Sequence, residues 1–255
     1  MPESNINQLP PVYQVQHLSE VDDIVAEAVR QARAGAKEGT LLWTDTETNA
    51  KTQRGNAWQS YPGNLSCALI IEPDYDNHSA QQLIYVAAVA AGTAMAEVLS
   101  PMIGMSLGWP GKLYVNNLLT GVVSLTPAEG GQDPWPWIVI GLRMNVAQHP
   151  PNPEPELYNS ILASVETEEV NAEDLMAFYA RHFLRLINRW SDEGFAPIHK
   201  AWMQRVEGLH TERRLTCKDS TIQGVVKGLS DDGEILLTNA DGKDQSVSLQ
   251  DYFAL

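Results

Sequence analysis

Residues 79–100 form an Ala-rich stretch that is apolar on several sides, a pattern that a helix lying on a protein surface does not show. Such a segment has to be covered by other elements, so it predicts a helix packed against a sheet. Pro101 supplies its stop. The longest apolar run, 84–99, is interrupted by Gly92, Thr93 and Glu97, which argues against a membrane span.

The sheet has to come from the segments around that helix. Residues 40–46 and 65–72 read as buried strands. They bracket a polar stretch, 47–64, and a long loop between two core strands usually carries function. Residues 113–116, 119–125 and 137–146 have the length and β-branched content of three antiparallel strands, with Asn116-Asn117 as a hairpin turn. Upstream, Ser19 reads as a cap and Val21, Ile24, Val25, Ala28 and Val29 recur at helical spacing, which predicts a helix over 19–36. Residues 172–190 form an amphipathic helix that Gly194 ends. The Glu166-Thr167-Glu168-Glu169 run before it reads as a solvated lead-in.

Past Arg205 the pattern changes to short alternating strands at 215–217, 221–228, 234–239 and 246–249, punctuated by Asp232-Gly233 and Asp241-Gly242 hairpin signals. The fold class expected is α+β: a mixed, largely antiparallel sheet backed by helices, followed by a small SH3-like β-barrel. The expected domains are 1–206 and 207–255.

Charge narrows the partners. With 32 acidic against 17 basic residues the formal net charge is -15, which repels a phosphate backbone and argues against nucleic acid. The two cysteines, Cys67 and Cys217, cannot build a disulfide framework or a four-ligand zinc site, and a reducing cytoplasm fits them. His149 and His210 lack partners at metal-ligand spacing, so no metal held by dedicated protein ligands is expected. The first residues carry no basic flank before an apolar core, so neither export nor a membrane location is expected.

Arg54-Gly55-Asn56-Ala57-Trp58-Gln59-Ser60-Tyr61-Pro62-Gly63, Gly108-Trp109-Pro110-Gly111-Lys112, Leu118-Leu119-Thr120-Gly121 and Gly141-Leu142-Arg143-Met144-Asn145, in this order of elements, resemble the active-site segments of the biotin/lipoate protein ligase family. The resemblance spans roughly 19–146 plus the C-terminal barrel. It implies that Arg54, Gly55, Trp58, Trp109, Pro110, Gly121, Gly141 and Asn145 contribute to substrate binding. It also implies biotin or lipoate as ligand, ATP with Mg as co-substrate and a biotin or acyl carrier protein as partner. A homodimer is compatible with it, and an N-terminal DNA-binding domain is not expected.

Departures from the family pattern fall on its charged and glycine positions. Ala50, Lys51, Thr52 and Gln53 stand where the family has a Gly-Arg-Gly-Arg run. Gly108, Gly111 and Lys112 replace the Lys, Asn and Asp of Lys-Trp-Pro-Asn-Asp, Leu119 or Leu118 falls at the catalytic Lys, and Arg143 replaces the second Gly of Gly-Xaa-Gly-Xaa-Asn. The family's cations neutralise charge developing between two anions, so a leucine at that lysine removes stabilisation worth several kcal/mol.

Arg143 and Lys112 are then the candidate catalytic cations, with Lys51 a weaker third. Arg143 shares a strand face with Gly141 and Asn145, where it either lines a cleft or pairs with an acid across the sheet. Three functions follow: a ligase-like enzyme with altered chemistry, a non-catalytic module binding a small carboxylic acid, and a cysteine-dependent acyl transferase. For the last, Cys67 alternates with Leu65 and Leu69 and reads more simply as a buried core residue.

Overall fold

The structure, a computed structural model, describes residues 9–151, 157–164, 170–217 and 220–253. The Glu166-Thr167-Glu168-Glu169 run lies outside them. In chain order the first strands are β1 (Gln14–Leu18), β2 (Thr40–Thr44), β3 (Leu65–Ile71), β4 (Met105–Gly108), β5 (Lys112–Val115), β6 (Leu118–Pro127) and β7 (Ile138–Met144). Every residue of β3 and of β7 is buried, and the two pair antiparallel from Leu65↔Met144 to Ile71↔Ile138. Fully buried, largely apolar runs of this kind belong at the centre of a sheet covered on both faces. They lie at the centre of a seven-stranded sheet ordered β1-β2-β3-β7-β6-β5-β4, in which β1 runs parallel to β2 and the other pairs are antiparallel.

Helix α1 (Ile24–Arg33) covers one face, burying Ile24, Ala28 and Ala32 against Leu42, Ala68, Ile70 and Val139. On the other face, α2 (Asn77–Gln81), α3 (Leu83–Val98), α4 (Ala172–Glu193) and α5 (Ala196–Met203) pack over Leu65, Cys67, Leu69, Ile140 and Leu142. Helix α3 is buried at every position from Leu83 to Gly92 because the sheet, α4 and α5 all contact it. That explains its apolar circumference.

The C-terminal elements are β8 (Glu212–Thr216), β9 (Thr221–Leu229), β10 (Ile235–Thr238), β11 (Asp244–Val247) and α6 (Leu249–Phe253). The strands make a four-stranded sheet ordered β11-β10-β9-β8 that fits the small barrel expected. Val226, Ile235, Leu237 and Val247 join the hydrophobic cluster around α3, so the core is continuous into this sheet. Gly233 takes φ 90° in the turn before β10, and its carbonyl accepts a hydrogen bond from the buried Tyr85 hydroxyl.

Three expectations need correction. The first helix begins at Ile24, not Ser19; its cap is Asp23, whose Oδ1 accepts from Val25 N and Ala26 N at 2.9 Å each, and residues 19–22 link it to β1, with Val21 in an isolated bridge to Glu47. The single helix over 79–100 is two, broken at Gln82. Strand β4 and helix α5 went unassigned in the sequence. The Asn116-Asn117 turn is as expected, with both residues left-handed at φ 51° and 63°. Among the described residues no helix is long and apolar enough to cross a membrane, and no three His, Cys, Asp or Glu side chains converge as metal ligands.

Candidate binding site

A cavity of about 390 Å³ opens on the α1 side of the sheet, roofed by the 45–64 loop. The loop supplies Thr52, Gln53, Arg54 and Trp58, the β4–β5 turn and β5 supply Pro110, Gly111 and Lys112, and β6 and β7 supply Leu119 and Arg143. Tyr158, Tyr252 and Phe253 complete it. The four segments that the sequence singled out separately are therefore walls of one space.

Not every predicted residue reaches it. Trp109 turns the other way, donating from Nε1 to the Tyr85 hydroxyl at 2.7 Å with its ring 4.6 Å from that of Tyr252. Its neighbour Pro110, in the turn between β4 and β5, faces the cavity. Gly55 sits at the loop tip with φ 78°, outside the lining. Gly121 and Gly141 are contact glycines: a Cβ at Gly121 would lie 2.8 Å from the Arg143 carbonyl oxygen, and one at Gly141 2.5 Å from Val25 of α1. Asn145 is fully buried, accepting from Asn64 Nδ2 at 3.2 Å, with its own Nδ2 lacking a partner among the described residues. Of the two leucines at the lysine position, Leu119 lines the cavity. Lys51 opens instead onto a neighbouring groove along α1.

Arg143 is 2% exposed and engaged on every side. Its Nε and Nη2 donate to the two oxygens of Glu47 at 2.8 and 2.7 Å, Nη1 donates to the Lys51 carbonyl at 2.8 Å, and Nη2 lies 2.9 Å from Asp23 Oδ1. This is the acid pairing weighed as the alternative to a cleft cation. Burial works against the charge of the guanidinium, but the hydrogen bonds and charges of Glu47 and Asp23 outweigh it and raise its pKa above the ordinary value.

The loop's polar groups are similarly engaged. Lys51 N donates to Asp23 Oδ2, Thr52 N to the Asn56 carbonyl, Gly55 N to the Thr52 carbonyl and Trp58 N to the Ala50 carbonyl. Gln53 uses both ends of its amide on the β6 backbone, donating to Leu125 O at 2.6 Å and accepting from Leu125 N at 2.8 Å. Arg54 donates to the Thr216 carbonyl at 2.8 Å and lies 4.6 Å above the Tyr252 ring.

Cys67 points to the opposite face of the sheet, among the α3 and α4 contacts, and burial first, then the Glu47 charge, push its thiol up to about 12. A neutral buried thiol facing away from the cavity does not act as its nucleophile. Cys217 is also raised, by burial and then by Asp251.

Sequence reasoning missed Asp23, Glu47, Gln53, Tyr158, Tyr252 and Phe253. The available signal was Glu47, an acid at the start of a loop whose far side carries an unexplained strand arginine; the other five offered none.

The family model described as the biotin/lipoate A/B protein ligase family matches residues 9–204. The bifunctional ligase/repressor BirA of Bacillus subtilis is 28% identical over 215 residues, which cover 83% of this chain and 65% of that protein. The chain thus spans 65% of the length of that relative. The biotin--[acetyl-CoA-carboxylase] ligase of Paracoccus denitrificans is 24% identical over 239 residues, 92% of this chain and 99% of that one. Among solved structures, the biotin protein ligase from Aquifex aeolicus in complex with biotin and ATP aligns at a TM-score of 0.78 and 20% identity, covering 92% of this chain and 95% of that chain. At that identity the likeness speaks for the fold.

Proposed function

The chain belongs to the biotin/lipoate A/B protein ligase family, and from that premise we propose that it binds a small carboxylic acid of the biotin or lipoate class in the cavity beneath Trp58, without efficient AMP transfer. The observation that carries the reading is the convergence of Arg54, Trp58, Pro110, Lys112 and Leu119 on one cavity of about 390 Å³, within the roughly 300–1,000 Å³ typical of small-molecule sites. Trp58 and Tyr158 supply flat apolar surface for a ring or an acyl chain, and Lys112 is a lysine on the same wall.

ATP with Mg does not fit these residues. A triphosphate needs free backbone N–H groups and cations, whereas the N–H groups of Lys51, Thr52, Gly55 and Trp58 bond inside the protein. Arg143 is balanced by two carboxylates, Leu119 offers no charge, and Arg54 is drawn to the Thr216 carbonyl and the Tyr252 ring, so Lys112 is the other cation of the wall. A second reading, slow acyl activation and transfer to a carrier-protein lysine, is favoured only by the place of Lys112 on the wall.

Calorimetric titration with biotin, lipoate and octanoate, each with and without Mg-ATP, tests both. The binding reading expects one acid to bind with the same affinity in both conditions. ATP-strengthened binding, with an acyl-adenylate detected by mass spectrometry, would replace it with the second reading, and no binding of any acid would remove both.

A further inference from the structure

We propose that Arg143 is a positioning residue around which the 47–58 loop is wrapped, so that the cavity roof is a fixed wall present before any ligand arrives. One guanidinium holds two points of the same loop, the Glu47 carboxylate and the Lys51 carbonyl. The third partner, Asp23, caps α1 and also accepts from Lys51 N at 2.9 Å, so both sides of the Lys51 residue are anchored to the same buried hub. Glu47 in turn accepts from Ile24 N at 2.8 Å, which ties the hub to the first turn of α1. Each carboxylate oxygen and each guanidinium nitrogen of the hub has a partner, and Glu47 is 5% exposed, so the arrangement has no obvious alternative partner to move to.

Only beyond Lys51 does the loop reach the cavity, through Thr52 to Trp58. The Gln53 amide on Leu125 and the Arg54 guanidinium on Thr216 then fasten its tip. The base is held by buried charge and the tip by more exposed bonds, so the base decides where Trp58 stands. A roof of this kind makes association a one-step entry into a formed site, rather than binding followed by closure. The geometry of this inference does not depend on the identity of the ligand, but its consequence for binding rests on the carboxylic-acid reading.

The test is a distance distribution by pulsed electron spin resonance, with spin labels at Asn56 on the roof and Asp192 at the end of α4. A control pair joins Ala26 of α1 to Asp192. The variant is Arg143→Met with Glu47→Gln, which removes charge in balance and leaves the amide oxygen introduced by the second substitution able to accept from Ile24 N. A single narrow Asn56–Asp192 distance is expected in the parent protein, and a broadened or two-component one in the variant, with the control pair unchanged. General destabilisation does not imitate that result, because unfolded molecules would broaden the control pair as well. A narrow, unshifted distance in the variant, a broad one already in the parent, or equal broadening of the control pair would each overturn the assignment. Should the double variant not fold, Arg143→Lys keeps the charge but cannot reach Glu47, Asp23 and Lys51 together, and is expected to broaden the same pair to a smaller degree. Affinity for whichever of biotin, lipoate or octanoate the parent protein binds should fall about tenfold or more in the variant, in line with a lost preformed site. A parent protein that binds none of the three would count against the carboxylic-acid reading, while the distance result still decides the role of Arg143.

Discussion

Replacing Arg143 by methionine separates its charge from its bulk, because methionine keeps most of the aliphatic length. Glu47, with a side chain 0% exposed, would lose both guanidinium bonds and keep only Ile24 N. Leaving a buried carboxylate without its cation costs about 3–5 kcal/mol. The Lys51 carbonyl, 2.8 Å from Nη1, would also lose its donor, adding about 1 kcal/mol. The sum is about 4–6 kcal/mol, or roughly 8–12 °C in Tm for a chain of this size at ~2 °C per kcal/mol. Glu47→Gln alone removes less, about 2 kcal/mol, since Arg143 retains Asp23. If the hub acts as a unit, the double variant will lie about 2 kcal/mol or more above the additive expectation. Urea unfolding of the four proteins, followed by circular dichroism, measures this directly. Additivity within about 0.5 kcal/mol, or a loss below ~1 kcal/mol for Arg143→Met, would refute the reasoning that these charges compensate one another.

Asn64→Ala should destabilise by about 2–4 kcal/mol in the same assay, because one side-chain oxygen accepts from Val146, Ala147 and Gln148 N at 3.0 Å each and closes the far end of the loop onto the segment that follows β7. Cys67 should resist iodoacetamide at pH 8 until the protein unfolds, as intact mass would show. Its titration also predicts an alkaline loss of stability: the unfolded thiol ionises near 9 while the folded one holds its proton to about 12, so the folded state binds more protons in that window and stability falls as pH rises through it. The loss is about 1.4 kcal/mol per pH unit above 9, and Cys67→Ala should show a flatter profile; identical profiles would show that the thiol is not the group responsible.

The sheet was legible where burial leaves a simple record. The largely apolar runs of β3 and β7 and the Asn116-Asn117 turn each have one structural solution that suits them. Strand β1 was not legible, because Gln14–Leu18 is largely exposed and owes its conformation to a backbone ladder with β2 rather than to its side chains. The site was legible as a set of segments but not as an inventory of roles. Trp109 and Pro110 are adjacent in sequence, yet one fastens Tyr85 and the other lines the cavity. Tyr252 and Phe253 enter from the far end of the chain, which no local pattern announces.

The replaced motif positions are better understood together than one at a time. An arginine in place of a glycine on a buried strand, taken alone, is a large residue and an unpaired charge inside a core, costing several kcal/mol. It is tolerable here because Glu47, Asp23 and the Lys51 carbonyl lie within 2.9 Å of it, and those partners come from the loop and the helix cap on either side. The Lys51 N–H is spent on Asp23, while those of Thr52, Gly55 and Trp58 bond to carbonyls within the loop itself. In this chain the base of the loop is held by the protein's own carboxylates, Glu47 and Asp23. Removing the arginine alone would not restore a phosphate site, since Asp23 and Glu47 would remain to repel the anion.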